Sequence, residues 1–192
     1  MSQVFLHALL FGVSTILIVI LLLYLTKEKF KDIGFIRQNI MKQLRNGFFF
    51  GVLIFIADTF VISPLVRLLL PETSAAGVEM SKLFANIYYL PIWIFIALFK
   101  GGFSEELWRI FTLTRFEKCW GKFGLFFALT FGSVIFGIGH LYQGVEGLVS
   151  TSILGVFYAL VYLRKRLALE AVFAHAIFDL IALTLGYLIY LP

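Results

Sequence analysis

Apolar runs set the organisation of this chain. Val4–Leu25 is 22 residues long and is interrupted only by His7, Ser14 and Thr15. A second run extends from about Gly47 to Leu70, with Asp58, Pro64 and Arg67 inside it. A third, Leu83–Leu98, continues through Lys100-Gly101-Gly102 into a predicted helix over 102–118. Phe123–Leu141 is the fourth, Leu148–Leu163 the fifth, and the sixth begins near Leu167. Crossing a bilayer takes about 20 apolar residues. Lipid offers the backbone no hydrogen-bond partners, so runs of this kind read as helices. The pattern predicts an all-α, polytopic membrane helix bundle with about six transmembrane helices. Residues 1–80 supply N-terminal spans and 81–192 a core that carries the chemistry, within one integrated membrane domain.

Composition sharpens this picture. The chain of 192 residues is 61% hydrophobic and 14% charged, with a mean hydropathy of +0.98. Soluble domains carry about 25% charged residues, so a water-soluble helical protein is excluded. The opening Met-Ser-Gln has no basic residue before the first run, which predicts a retained span rather than a cleaved leader. Cys119 is the sole cysteine, so neither an intrachain disulfide nor a cysteine metal cluster is available.

The net charge of +5 is explained by topology. Six basic residues fall in 26–46, four in 109–122 and three in 164–166, against Arg67 and Lys82 on the opposite side. Basic loops stay in the cytoplasm, which places both ends of the chain outside and predicts a multi-pass cell-membrane protein. No nucleic-acid partner is called for. Segment 26–46 fits either an amphipathic helix on the inner leaflet or a solvated loop.

Ionisable residues at membrane depth are costly and call for a reason. Glu105, Glu106 and Arg109 share one predicted helix, with i,i+4 and i,i+3 spacings that let either carboxylate pair with the guanidinium. His140 ends the fourth run. His175 and Asp179 are i,i+4 on the sixth, where Asp179 can accept from one ring nitrogen and fix the tautomer. At about 1.5 Å per residue, Glu105, His140 and His175 reach similar heights above the basic loops. Elsewhere, Asp58 reads as a hydrogen-bonded helix contact, Gly137-Ile138-Gly139 as close helix packing, and His7 carries no assigned role.

Glu105-Glu106-x-x-Arg109, Phe136-x-x-x-His140 and His175-x-x-x-Asp179, in that order on successive apolar helices, resemble the three motifs of the CPBP family of intramembrane proteases. That family includes the type II CAAX prenyl endopeptidases and bacteriocin self-immunity proteins. Ile110 stands where many members carry glycine, and Asp179 stands where eukaryotic prenyl proteases carry asparagine. The resemblance implies hydrolysis of a peptide bond in a membrane-associated peptide or protein, in peptide processing or bacteriocin immunity. Glu105 is then the general base and His140 helps hold the water. His175, supported by Asp179, stabilises the oxyanion or orients that water, and Glu106 pairs with Arg109. A metal version uses Glu105, His140 and His175 as ligands of a divalent ion such as zinc. The metal-free version needs no cofactor and is preferred, because adjacent glutamates with an arginine partner do not require an ion. Two rival classes remain: an ion- or proton-coupled transporter, and a non-catalytic immunity or chaperone protein.

Overall fold

The computed structural model describes residues 2–70 and 86–190. The predicted polar connection Pro71–Lys82 and the start of the third run at Leu83 lie outside the described residues. Among the described residues seven α-helices follow in order: α1 (Ser2–Leu25), α2 (Ile40–Ala57), α3 (Ser63–Leu69), α4 (Leu90–Phe95), α5 (Glu106–Ile138), α6 (Gly144–Lys165) and α7 (Ala168–Tyr190). Two π-helical segments, Asp58–Ile62 and Ile96–Glu105, join α2 to α3 and α4 to α5. No strand occurs among the described residues.

Among the described residues five helical stretches are long and apolar enough to cross a membrane, and one of them, Ile87–Ile138, spans 52 residues. Its length hides a reversal. Trp120 and Gly121 leave helical geometry inside α5, with Gly121 at φ 59° and ψ −142°, a region that favours glycine. The two arms then run antiparallel: Phe116 stacks on Phe127 at 5.7 Å, and the Arg109 guanidinium lies 4.4 Å from the centre of the Phe136 ring. The hairpin tip sits where the sequence places it, and with Ile87–Ile138 folded in two the described residues form six helical arms, close to the six spans expected. Large apolar side chains such as Leu10, Leu21, Phe49, Phe60, Phe123 and Phe131 face outward, as a lipid solvent demands.

Segment 26–46 differs from both predicted forms. It contains a single 3-10 turn at Phe30–Ile33, and α2 begins at Ile40, earlier than the predicted Gly47. The segment is tied down rather than laid on the membrane. Ile33 is fully buried, its carbonyl accepts from the Tyr162 hydroxyl, and the Ala168 amide donates to Gly34 O. Glu28 pairs with Arg115 and Lys118 near the hairpin tip. The Arg115 hydrogen bond, helped by Lys118, holds the Glu28 carboxyl below its ordinary pKa.

α7 is the axis of the bundle. Gly47 and Gly51 of α2 bring that helix against one side of it: a Cβ on Gly51 would lie 2.6 Å from Ala174 O. Gly102 meets another side, where a Cβ would lie 2.7 Å from the Ala176 methyl. Small residues at such contacts let membrane helices approach closely. Gly51→Ala is expected to cost about 1–3 kcal/mol through overpacking. Gly132→Ala, which meets no atom within 4 Å, is expected to be neutral or slightly stabilising. Thermal unfolding in detergent distinguishes the two. The predicted packing role of Gly137 is realised against Ser152 and Leu148 of α6, whereas a Cβ on Gly139 meets only carbonyls of its own turn. Asp58 accepts from the Ser63 hydroxyl at 3.2 Å, the hydrogen-bonded contact expected of it.

Candidate active site

The segment preceding the double glutamate is not an ordinary helix. Ile96–Glu105 is π-helical, and the Ser104 hydroxyl supports the wider turn by donating to Phe99 O, five residues back, at 2.7 Å. This pitch decides what faces Glu105. In an α-helix, residues five apart point about 140° away from each other. In the π-helix they come close to a full turn, and Lys100 donates to Glu105 Oε1. Gly101 lies between them on the α7 side, where a Cβ would overlap Asp179 Oδ2.

Each carboxylate has its own cation. Lys100 pairs with Glu105, and Arg109 pairs with the fully buried Glu106. Two neighbouring carboxylates in a low-dielectric site resist joint ionisation unless cations offset them, and here the assignment is one to one. The Arg109 guanidinium is further held over the Phe136 and Tyr158 rings, at 4.4 and 5.5 Å.

His175 is buried at 3% exposure. Its Nδ1–H donates to Glu106 Oε1 at 2.8 Å, and Tyr158 stacks on its ring at 4.2 Å. The other nitrogen, Nε2, lies 3.8 Å from Glu105 Oε2 and 3.7 Å from Asp179 Oδ1. This corrects the sequence reading of Asp179. Glu106, from a different helix, fixes the His175 tautomer, while Asp179 faces the opposite nitrogen beyond direct hydrogen-bond distance. Sequence spacing favoured Asp179 because i,i+4 pairs within one helix are visible in a sequence and cross-helix pairs are not.

His140 caps the second arm of α5. Its Nδ1 donates to Phe136 O at 2.9 Å, which leaves Nε2 as an acceptor. The Phe136 ring lies between the two imidazoles, 4.7 Å from His140 and 5.8 Å from His175. His140 is within electrostatic reach of Glu105, Lys100 and His175. All six predicted site residues, Glu105, Glu106, Arg109, His140, His175 and Asp179, therefore gather in one place. Two participants were missed. Lys100 has no role in the sequence reading, although its position next to an apolar run is itself a signal. Tyr158 sits in an apolar helix with no motif around it, so nothing in the sequence marked it.

The carboxylates of the cluster are paired with cations and a histidine. Among the described residues no group of three His, Cys, Asp or Glu side chains is arranged to hold an ion. The Lys100 ammonium stands on the Glu105 carboxylate, and Glu106 is committed to Arg109 and His175.

A family model described as type II CAAX prenyl endopeptidase Rce1-like matches residues 86–181, half of the chain and every residue of this site. Comparison with curated proteins and with solved structures gave no match. The match coincides with the π-segment, the α5 hairpin, α6 and the part of α7 that carries His175 and Asp179, and it supports protease activity. A multi-pass helical membrane protein with this motif set, the chain belongs to the type II CAAX prenyl endopeptidase Rce1-like family.

Proposed function

We propose that the chain is a metal-free intramembrane endopeptidase, with residues 81–192 as its catalytic core, acting on a membrane-associated peptide or protein. The observation that carries this reading is the approach of Glu105 Oε2 and His175 Nε2 at 3.8 Å. That distance is too long for a direct hydrogen bond, but one water oxygen can contact both atoms.

The proposed reaction starts from a water that donates one proton toward Glu105 and the other toward His140 Nε2, so that its lone pair is free to attack. Glu105 takes a proton as the oxygen bonds to the scissile carbonyl carbon. His175, in its imidazolium form, keeps Nδ1–H on Glu106 and turns Nε2–H toward the developing oxyanion, with Asp179 beside it. The proton on Glu105 passes to the amide nitrogen, the C–N bond breaks, and the new carboxylic acid gives its proton to the amine, so that a carboxylate and an ammonium leave. Glu106 and Arg109 orient His175 and take no part in bond making.

Cells carrying the wild-type chain are expected to show membrane-peptide termini that are missing with Glu105→Gln, and the inactive variant should retain the uncut substrate. Cleavage by the purified protein in liposomes should persist after chelation. Identical peptide profiles for the two proteins, together with a proton flux in liposomes that Glu105→Gln abolishes, would favour a transporter and overturn the proposal.

A further inference from the structure

Lys100 is the one charged side chain in the cluster that the proposed mechanism leaves without work. It lies on the π-segment and donates to Glu105 Oε1, while Oε2 of the same carboxylate faces His175. The two oxygens therefore have different neighbours, and the one on the cationic side is taken. Three further elements converge on the ammonium. Phe11 of α1 presents its ring at 5.3 Å, and Asp179 of α7 and Tyr142, just after α5, are within electrostatic reach. With 24% of its side chain exposed against 8% for Glu105, Lys100 borders the open side of the cluster and is not sealed inside a packing clasp.

We propose that Lys100 is a positioning residue for hydrolysis, an internal cation that pins Glu105 Oε1 and leaves Oε2 as the single oxygen presented to water. The π-helix is the device that makes this possible, because only its pitch sets a residue five back onto the same carboxylate. A lone glutamate in low dielectric would otherwise be drawn to other donors in the cluster and lose its aim. Arg109 cannot replace Lys100, since Glu106 and two aromatic rings hold it.

This inference rests on the hydrolytic reading, so its test runs beside Glu105→Gln. The probe is an internally quenched peptide library anchored in liposomes by an acyl chain. Lys100→Met is expected to lower kcat by ~10- to 100-fold with KM within about twofold, the pattern of a lost transition-state interaction. Lys100→Arg should recover part of that loss because it keeps a cation in reach. Chelation should leave the wild-type rate unchanged. If Lys100→Met turns over like the wild type while Glu105→Gln is dead, the role of Lys100 fails and the hydrolytic reading stands. If Glu105→Gln also keeps the full rate, the hydrolytic reading itself fails. A wild-type rate that vanishes on chelation and returns with zinc overturns the proposal. So does a Lys100→Met loss that merely tracks the loss of folded protein.

Discussion

Glu105→Gln is expected to lower kcat by about 10³-fold or more while the thermal midpoint in detergent moves little. The reason lies in the different settings of two adjacent side chains. Glu105 ends the π-segment at 8% exposure, shares one oxygen with Lys100 and leaves the other facing His175. Glutamine keeps its shape and can still accept from Lys100, and Asp179 stands near enough to share that charge. What glutamine cannot do is take a proton from water. Glu106→Gln inverts the pattern. Glu106 is fully buried and bonded to both Arg109 and His175, so its neutralisation loosens the fold as well as the chemistry. Parallel measurement of kcat and melting temperature on the two variants separates base from scaffold. The opposite outcome, a silent Glu105→Gln and a dead but stable Glu106→Gln, exchanges their roles.

The second large effect is on stability. Arg109→Ala is expected to cost about 3–5 kcal/mol, the usual penalty for leaving a buried charge without its partner. The Glu106 carboxylate has 0% exposure, so water cannot replace the guanidinium. Arg109→Lys should restore only part of the loss. An ammonium can meet the carboxylate but cannot lie flat over Phe136 and Tyr158 as the guanidinium does. Chemical or thermal unfolding in detergent measures both. A variant that melts with the wild type would show that the pair is dispensable.

The six predicted site residues were legible because each is a polar group at helical spacing in apolar surroundings. Span number and the basic hairpin tip were legible because lipid imposes a minimum length and basic residues gather in the loops between apolar runs. The missed features share a cause. Lys100 joins Glu105 only through a π pitch, and a reader applying 3.6 residues per turn places it on another face. Glu106 bonds His175 across 69 positions of chain, and Tyr158 stacks on that ring from a third helix. Such contacts depend on how helices rotate against one another, which Gly47, Gly51, Gly101 and Gly102 set by removing Cβ atoms. The docking of 26–39 was hidden likewise, since Ile33 finds its pocket only after α6 and α7 are in place.

The place of α7 at the centre has a consequence for how the molecule comes into being. Chains are made from the N-terminus, and earlier segments are available to settle first. α1 to α6 precede α7, so Glu105, Glu106, Arg109 and His140 enter the membrane before His175 and Asp179 exist. The contacts of Gly47, Gly51, Gly101 and Gly102 with α7 can form only once α7 lies between α2 and the π-segment. Until then Glu106 has no histidine to bond. The bond between Glu106 and His175 therefore forms only when α7 packs into the bundle.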